Sequence, residues 1–187
     1  KQFISEKDID AAVNRFLRKP QYSFAPVIIG VDPAWEGDDE FVIYLRQGLY
    51  SKLLGKWAKN DNDIQMANII ARLEDEYKAD AVHIDAGYGT GIYSAGTVMG
   101  RAWVLVWFSE KSADPGCLNK RAETIPRFDG IIQLESKKEM KKRDIPSPNR
   151  GDALALTFAH PVVNDNTAMI APPKPASHDF DPYAEVA

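Results

Sequence analysis

The stretch that decides the fold is Val27 to Ala34, which reads V-I-I-G-V-D-P-A. Four β-branched residues around a single glycine predict a strand buried on both faces, because a half-exposed strand would alternate with polar side chains. Pro33 has no backbone N–H to donate to a sheet, so the strand should end before it. Asp32 is therefore predicted at the carboxyl end of a central strand, where open α/β sheets bind ligands.

The same arrangement occurs a second time at Ala79 to Ala86, which reads A-D-A-V-H-I-D-A. Before it, Phe41 to Arg46 and Leu49 to Trp57 predict an antiparallel strand pair, and apolar residues at helical spacing then predict an amphipathic helix. A strand reached through such a helix should lie parallel to the first strand within the same sheet. Asp85 would then end its strand at the same edge as Asp32.

Two carboxylates at one sheet edge repel each other unless a cation lies between them. Hard oxygen ligands in that arrangement suit Mg²⁺ or Mn²⁺, which keep several waters and bind phosphates. A third acid, Asp152, lies near the start of the last predicted helix, Asn149 to Ala159. From there it could point back at the strand ends. We therefore predict a divalent-metal site formed by Asp32, Asp85 and Asp152.

Each acid also has a purely structural interpretation. Asp32 and Asp85 could simply begin turns, and Asp152 stands three residues after Asn149, which is the spacing of a capping box. His83 lies two residues before Asp85, on the same strand face, and we expect a buried, hydrogen-bonded histidine there rather than a metal ligand.

The turn after the second strand, G-Y-G-T-G from Gly87 to Gly91, resembles a phosphate-binding loop. It lacks the Lys-Ser/Thr pair that completes a Walker motif, so it is a weak nucleotide signal. We interpret it as a flexible turn that lets Asp85 and a helix N-terminus approach a phosphate.

Composition sets the broad class of the protein. The chain has 187 residues, a formal net charge of −4 and a single cysteine. It has no apolar run near the roughly 20 residues of a membrane span and no signal-peptide pattern. One cysteine excludes an internal disulfide and a Cys-based zinc site, and it suits a reducing cytosol. We expect a globular protein with no membrane partner.

The negative net charge conceals a basic cluster. Residues 164–187 hold four acids and one lysine, a net −3, so the rest of the chain sums to only −1. A short run before the last helix is rich in cations, which could form a solvated surface or contact phosphates. Its candidate DNA-binding residues are Lys137, Lys138, Lys141, Lys142 and Arg143.

The chain divides into three parts on its patterning. Residues 1–23 are a helical lead-in, with a helix predicted over 5–18, and residues 24–163 form the domain. Residues 164–187 are a Pro-rich tail that we expect to be flexible. Within the domain, Trp103 to Phe108 predicts a third buried strand and Ile131 to Glu135 a short one.

Five separated motifs extend these observations. They are V-I-I-G-V-D-P-A with G-D-D, V-H-I-D-A-G-Y-G-T-G, L-N-K-R-A-E, I-Q-L-E-S-K-K-E-M-K-K-R and P-S-P-N-R-G-D-A-L-A-L-T-F-A. In this order they resemble the C-terminal nuclease domain of tailed-bacteriophage terminase large subunits, over about residues 24 to 160. By motif position, the acidic triad of that family falls on Asp32, Asp85 and Asp152.

The resemblance implies an α/β, RNase H-like fold with a mixed central sheet and helices on both faces. It implies a two-metal nuclease site, with two Mg²⁺ or Mn²⁺ ions, that cuts concatemeric double-stranded DNA with little sequence specificity during packaging. The implied partners are a packaging-motor ATPase domain, a portal and a small terminase subunit in the host bacterial cytoplasm. The chain itself contains no G-x-x-x-x-G-K-[ST] motif, so that motor domain is not in it.

The sequence departs from the family pattern in two places. Asn149 and Gly151 stand where the family often has Asp and Ala, so any metal contact from position 149 would be a neutral one. A further helical stretch that the family usually carries between N-K-R-A-E and I-Q-L-E-S is absent, and we expect residues to be missing at about 123/124.

Three other functions fit parts of the pattern. An ATP-handling protein of the same broad fold would use strand-end acids and Gly-rich turns, but the incomplete G-Y-G-T-G turn and the basic run disfavour it. A different RNase H-like nuclease, of the resolvase or transposase type, would prefer branched or end-specific DNA. A non-catalytic docking module would grip DNA or a portal without cutting.

Overall fold

The computed structural model describes residues 6–33, 40–58, 61–108, 142 and 149–163. In these ranges the chain forms five strands, which are β1 (Val27–Asp32), β2 (Glu40–Gln47), β3 (Tyr50–Ala58), β4 (Ala81–Asp85) and β5 (Val104–Val106). The helices of these ranges are α1 (Glu6–Val13), α2 (Asp63–Tyr77), α3 (Thr90–Val98) and α4 (Asn149–Leu156), with a 3₁₀ turn at Lys19–Gln21. None of the helices in the described ranges has the length and apolar character that crossing a membrane requires.

The strands form one mixed sheet in the order β3-β2-β1-β4-β5. β1 lies in the middle, antiparallel to β2 and parallel to β4, and β4 is parallel to β5. The predicted antiparallel strand pair and the predicted parallel crossover through α2 are both confirmed. The carboxyl ends of β1 and β4 therefore meet at the same edge of the sheet.

The main core fills the space between one face of the sheet and helices α2 and α3. The α2 helix begins at Asn62, whose side chain accepts a hydrogen bond from the Gln65 backbone N–H at 3.0 Å, an ordinary N-cap. Its apolar stripe buries Met66 and Ile70 against the sheet. The helix thus both connects β3 to β4 and covers the sheet.

Helix α4 packs on the opposite face, so the sheet is covered on both sides. This explains why β2 does not show the alternating burial of a half-exposed strand. Phe41, Val42 and Ile43 are buried in succession, because neighbouring side chains of β2 face different helix layers. The chain thus has an α/β fold with helices on both faces of a mixed sheet, as predicted.

Three predicted elements are shorter than expected, one of them α4, which was predicted to reach Ala159 and ends at Leu156. The helix predicted over 5–18 ends at Val13, and Phe16 beyond it is 85% exposed. The strand predicted over Trp103 to Phe108 has only three residues, and Trp107 is 48% exposed. β5 lies at the edge of the described sheet, where one side of a strand lacks a neighbour. The strand predicted at Ile131 to Glu135 lies outside the described residues.

The end of the lead-in contacts the β2–β3 hairpin. The Gln47 side-chain amide donates to the Ser23 carbonyl at 3.3 Å and, just after the lead-in, to the Ala25 carbonyl at 3.0 Å. The rings of Tyr22 and Tyr50 stack at a centroid distance of 4.6 Å. The hairpin turns at Gly48, whose φ of +58° is the conformation that a tight two-residue turn needs at its first position. The boundaries at 23/24 and 163/164 remain predictions.

Lys78 ends α2 in the left-handed region, with φ of 50° and ψ of 54°. In this conformation a Cβ lies too close to the following carbonyl oxygen. Glycine has no Cβ and therefore avoids the contact. We expect Lys78→Gly to raise the free energy of unfolding by about 0.5–1 kcal/mol in urea denaturation. Lys78→Ala is the matched control, because it retains the Cβ and should give no comparable gain. Equal stabilities of the two variants would contradict this account.

Candidate functional site

Asp32 and Asp85 end neighbouring parallel strands. The pairing aligns Gly30 with His83 and Val31 with Ile84, and one further step of that register sets Asp32 opposite Asp85. Successive side chains of a strand alternate between faces, so the two acids lie on the face opposite to the main core. Asp32 is only 3% exposed. A carboxylate this deeply buried requires compensation from hydrogen bonds or cations.

The turn after β4 orients the carboxylate of Asp85. The backbone N–H of Gly87 donates to Asp85 Oδ1 at 3.2 Å, and the N–H of Gly89 donates to the Asp85 carbonyl at 2.9 Å. A Cβ at Gly89 would collide with this carbonyl and with the Ile84 side chain. A carboxylate has about four acceptor positions, so one hydrogen bond is compatible with metal coordination. The glycines therefore permit a tight turn that holds the acid at the strand end.

Helix α4 brings Asp152 towards the same end. A Cβ on Gly30 would collide with the Ala153 carbonyl, so the helix rests directly on the β1 backbone. One turn later, Thr157 bonds to Arg46, whose strand position is opposite Ile28. The chain of α4 thus runs against the direction of β1, and its first turn lies towards the end of β1 that carries Asp32. Asp152 belongs to that first turn and is half-buried.

Asp32, Asp85 and Asp152 do not form a complete set of metal ligands by themselves. Among the described residues, no group of three or more His, Cys, Asp or Glu side chains is arranged to hold a metal ion. Mg²⁺, however, is usually bound through one or two carboxylates together with waters and substrate phosphates. The hard oxygen donors of Asp32 and Asp85 fit such an ion. The assignment of all three acids as ligands remains a prediction.

His83 is buried, 1% exposed, with Nδ1 at 2.8 Å from the carbonyl oxygen of Leu156. A carbonyl only accepts, so Nδ1 carries the proton. The ring also meets His160 edge-on at a centroid distance of 5.5 Å. His83 is therefore a hydrogen-bonded interior histidine that ties β4 to α4, as expected.

The remaining predicted site residues lie at different depths. Asn149 is buried, 7% exposed, at the start of α4, whereas Gly87 is exposed. Lys142 is exposed in a helical conformation. The other basic candidates lie outside the described residues, and they are Lys137, Lys138, Lys141 and Arg143.

Two residues that hold α4 were not singled out from the sequence. Gly30 had a usable signal, since an isolated glycine inside a strand often marks a close approach of another backbone. The sequence signal for Arg46 was weak, because it consisted only of an arginine near the end of a strongly apolar strand. Phe158 lies just beyond the end of α4 and is 64% exposed, and the Arg46 guanidinium stands 4.0 Å from its ring centroid.

The fold is similar to those of known nuclease domains. One solved structure, the nuclease domain of the large terminase subunit gp2 of bacterial virus Sf6, is 17% identical, with a TM-score of 0.57, covering 82% of this chain and 94% of that chain. A lysine-to-alanine mutant of that domain, with manganese and beta-thujaplicinol, is 16% identical with a TM-score of 0.58 at the same coverages. A mutant with calcium is 18% identical with a TM-score of 0.55, again at these coverages.

The sequence matches no protein-family model and no curated relative. At these low identities the structural similarity shows the fold alone. The chain therefore has an α/β, RNase H-like fold of the kind found in terminase nuclease domains.

Proposed function

We propose that this chain is the nuclease domain of a viral DNA-packaging terminase and that it cuts double-stranded DNA with the help of divalent metal ions. The observation that carries the proposal is that the buried carboxylate of Asp32 lies opposite Asp85. The two acids follow the aligned residues Val31 and Ile84 on neighbouring parallel strands. A fold alone does not imply an activity, so the site must support it. Similarity to domains solved with manganese and with calcium adds support for a divalent-metal site.

In the proposed reaction, Asp32, Asp85 and Asp152 would hold the metal ions. Two Mg²⁺ or Mn²⁺ ions would supply an activated water and stabilise the leaving oxygen of the phosphodiester. Asp32 is the most deeply buried of the three acids, so it provides the most rigid ligand. The Gly87 N–H donates to the Asp85 carboxylate, and the contacts of α4 with the sheet would position Asp152.

DNA would approach this edge of the sheet and be held through its phosphates. The cations proposed for that role are Lys137, Lys138, Lys141, Lys142 and Arg143. Phosphate contacts position DNA without reading its sequence, so cleavage should be largely non-specific. The proposed partners are the motor ATPase domain, the portal and the small terminase subunit, in the cytoplasm of a bacterial host.

A second candidate function is a non-catalytic docking module of the packaging motor. The observation that favours it is that the described residues hold no ready-made group of three metal-ligating side chains. Such a module would bind DNA or a portal protein without cutting either.

Supercoiled plasmid separates the two functions. We expect the chain to nick plasmid in Mn²⁺ or Mg²⁺ and to lose this activity in excess EDTA. The rate should fall steeply as salt rises from about 50 to about 200 mM, because phosphate contacts release counterions. Calcium in place of manganese gives a control for binding without turnover. Retention of plasmid in a gel shift without any nicking, at any tested metal concentration, would support the docking module instead.

A further inference from the structure

The C-terminal end of α4 is held by side chains from two different strands. Arg46 on β2 donates from Nε to Thr157 Oγ1 at 2.9 Å and from Nη2 to the Thr157 carbonyl at 2.7 Å. The Thr157 hydroxyl in turn donates to the Leu154 carbonyl at 2.7 Å. On β4, His83 donates to the Leu156 carbonyl. These contacts satisfy carbonyl groups that a helix end otherwise leaves without intrahelical partners.

Arg46 is suited to this task by its chemistry. Its planar guanidinium presents several N–H groups in a fixed fork, and a cation is favourable at the negative end of a helix. Desolvation by burial lowers the pKa of the Arg46 guanidinium from its ordinary value, yet an arginine stays protonated in proteins. No carboxylate in the described ranges forms an ion pair with Arg46. The charge is therefore directed at the helix end and at the face of Phe158.

The helix itself is too short to hold its own position. α4 has 8 residues, well below the roughly 12–15 at which isolated helices become even marginally stable in water. The orientation of α4 must therefore come from contacts with the sheet. Gly30 lies beneath the middle of the helix, and Arg46 and His83 bond to its C-terminal end. Asp152 lies in the first turn of α4, five residues before Thr157, which directly follows the helix. A shift of the helix end would therefore move Asp152.

We propose that Arg46 is a positioning residue for the metal site: by holding Thr157 at the end of α4, it sets the position of Asp152 relative to Asp32 and Asp85. This inference rests on the proposed function and names a residue on which the site depends although it touches neither metal nor DNA. Outer-shell partners of metal ligands typically contribute about 10- to 100-fold to metal affinity or activity. We expect Arg46 to act within this range.

The test is the binding of Mn²⁺ alone to the full chain, measured from the loss of the free-ion signal in electron paramagnetic resonance. Arg46→Met should weaken the affinity for Mn²⁺ by about 10- to 100-fold. Arg101→Met is the matched control, because Arg101 donates to Asp75 at 2.6 and 2.8 Å at a distant position and its loss should leave the affinity unchanged. Thr157→Val keeps the shape of a fully buried residue and removes the hydroxyl that Arg46 binds. It should weaken Mn²⁺ binding in the same direction.

A failure of the inference about Arg46 can be distinguished from a failure of the proposed nuclease function. If wild-type protein binds Mn²⁺ and nicks DNA while folded Arg46→Met or Thr157→Val binds Mn²⁺ as wild type does, the positioning role of Arg46 is wrong and the nuclease stands. If wild-type protein neither binds Mn²⁺ nor nicks DNA, both the positioning role of Arg46 and the nuclease function are wrong. In the double variant Arg46→Met/Asp152→Asn, an Mn²⁺ affinity equal to that of Asp152→Asn alone is expected, because Arg46 acts through Asp152. Fully additive losses would overturn the inference.

Discussion

Asp32→Asn is expected to reduce metal-dependent nicking of supercoiled DNA by about 10³-fold or more, equivalent to roughly 4 kcal/mol of transition-state stabilisation. The substitution keeps the size of the side chain but replaces an anionic ligand with a neutral amide. Because Asp32 is 3% exposed at the end of the central strand, no nearby surface acid can readily take its place. Initial nicking rates across a range of Mn²⁺ concentrations measure the effect.

The control for this loss is Asp75→Asn, which removes a carboxylate from the exposed side of α2, where it pairs with Arg101. That variant should nick DNA at the wild-type rate. Circular dichroism must show that Asp32→Asn is folded, so that the loss reports chemistry. Near wild-type nicking by folded Asp32→Asn would remove the physical basis of the nuclease proposal.

Gly30→Val is expected to lower the free energy of unfolding by about 2–3 kcal/mol, the upper part of the usual range for overpacking. A Cβ at position 30 collides with the Ala153 carbonyl and stands 3.0 Å from Thr157 Cγ2. The helix backbone cannot rotate away as a flexible side chain could, so α4 must lift from the sheet. Urea denaturation measures the loss, and nicking should fall with it because Asp152 moves with the helix.

Gly87→Ala is the comparison for Gly30→Val. A Cβ there would meet Asp85 Oδ2 at 3.4 Å, which is an ordinary contact distance, so the free energy of unfolding should stay within about 0.5 kcal/mol of wild type. By strand propensity alone, valine at position 30 should be favourable, since β-branched residues are enriched in strands. A Gly30→Val variant more stable than wild type would show that α4 does not rest on β1 as described.

Much of the fold was predictable because it depends on local patterns. An apolar run that ends in Asp and Pro identified β1, apolar residues at helical spacing predicted α2, and the crossover rule set β4 parallel to β1. The prediction that Asp32 and Asp85 end adjacent strands needed only that rule. The ends of elements were less predictable: β5 and α1 are shorter than their apolar patterns suggested, since packing decides how far such a pattern is ordered.

Of the residues that form or support the candidate site, the sequence pointed to the acids but not to the residues that hold α4. The residue type of these acids and their positions, two at strand ends and Asp152 at the start of the last helix, are visible along the chain, and the resemblance of motifs points to the same three acids. The supports of α4 were not visible, because Arg46 and Thr157 are 111 residues apart and belong to no shared motif. Similarly, the tie between His83 and Leu156 joins residues 73 positions apart.

The sequence by itself determined the order of strands and helices, the parallel pairing of β1 with β4 and the presence of Asp32 and Asp85 at their carboxyl ends. These follow from periodicity, from proline and glycine, and from the handedness of chain connections, which act over short distances or by general rule. Only the tertiary structure decided that α4 rests on Gly30 and that Arg46 and His83 hold its end. Those contacts depend on shape and hydrogen bonding between distant segments, which no local pattern encodes.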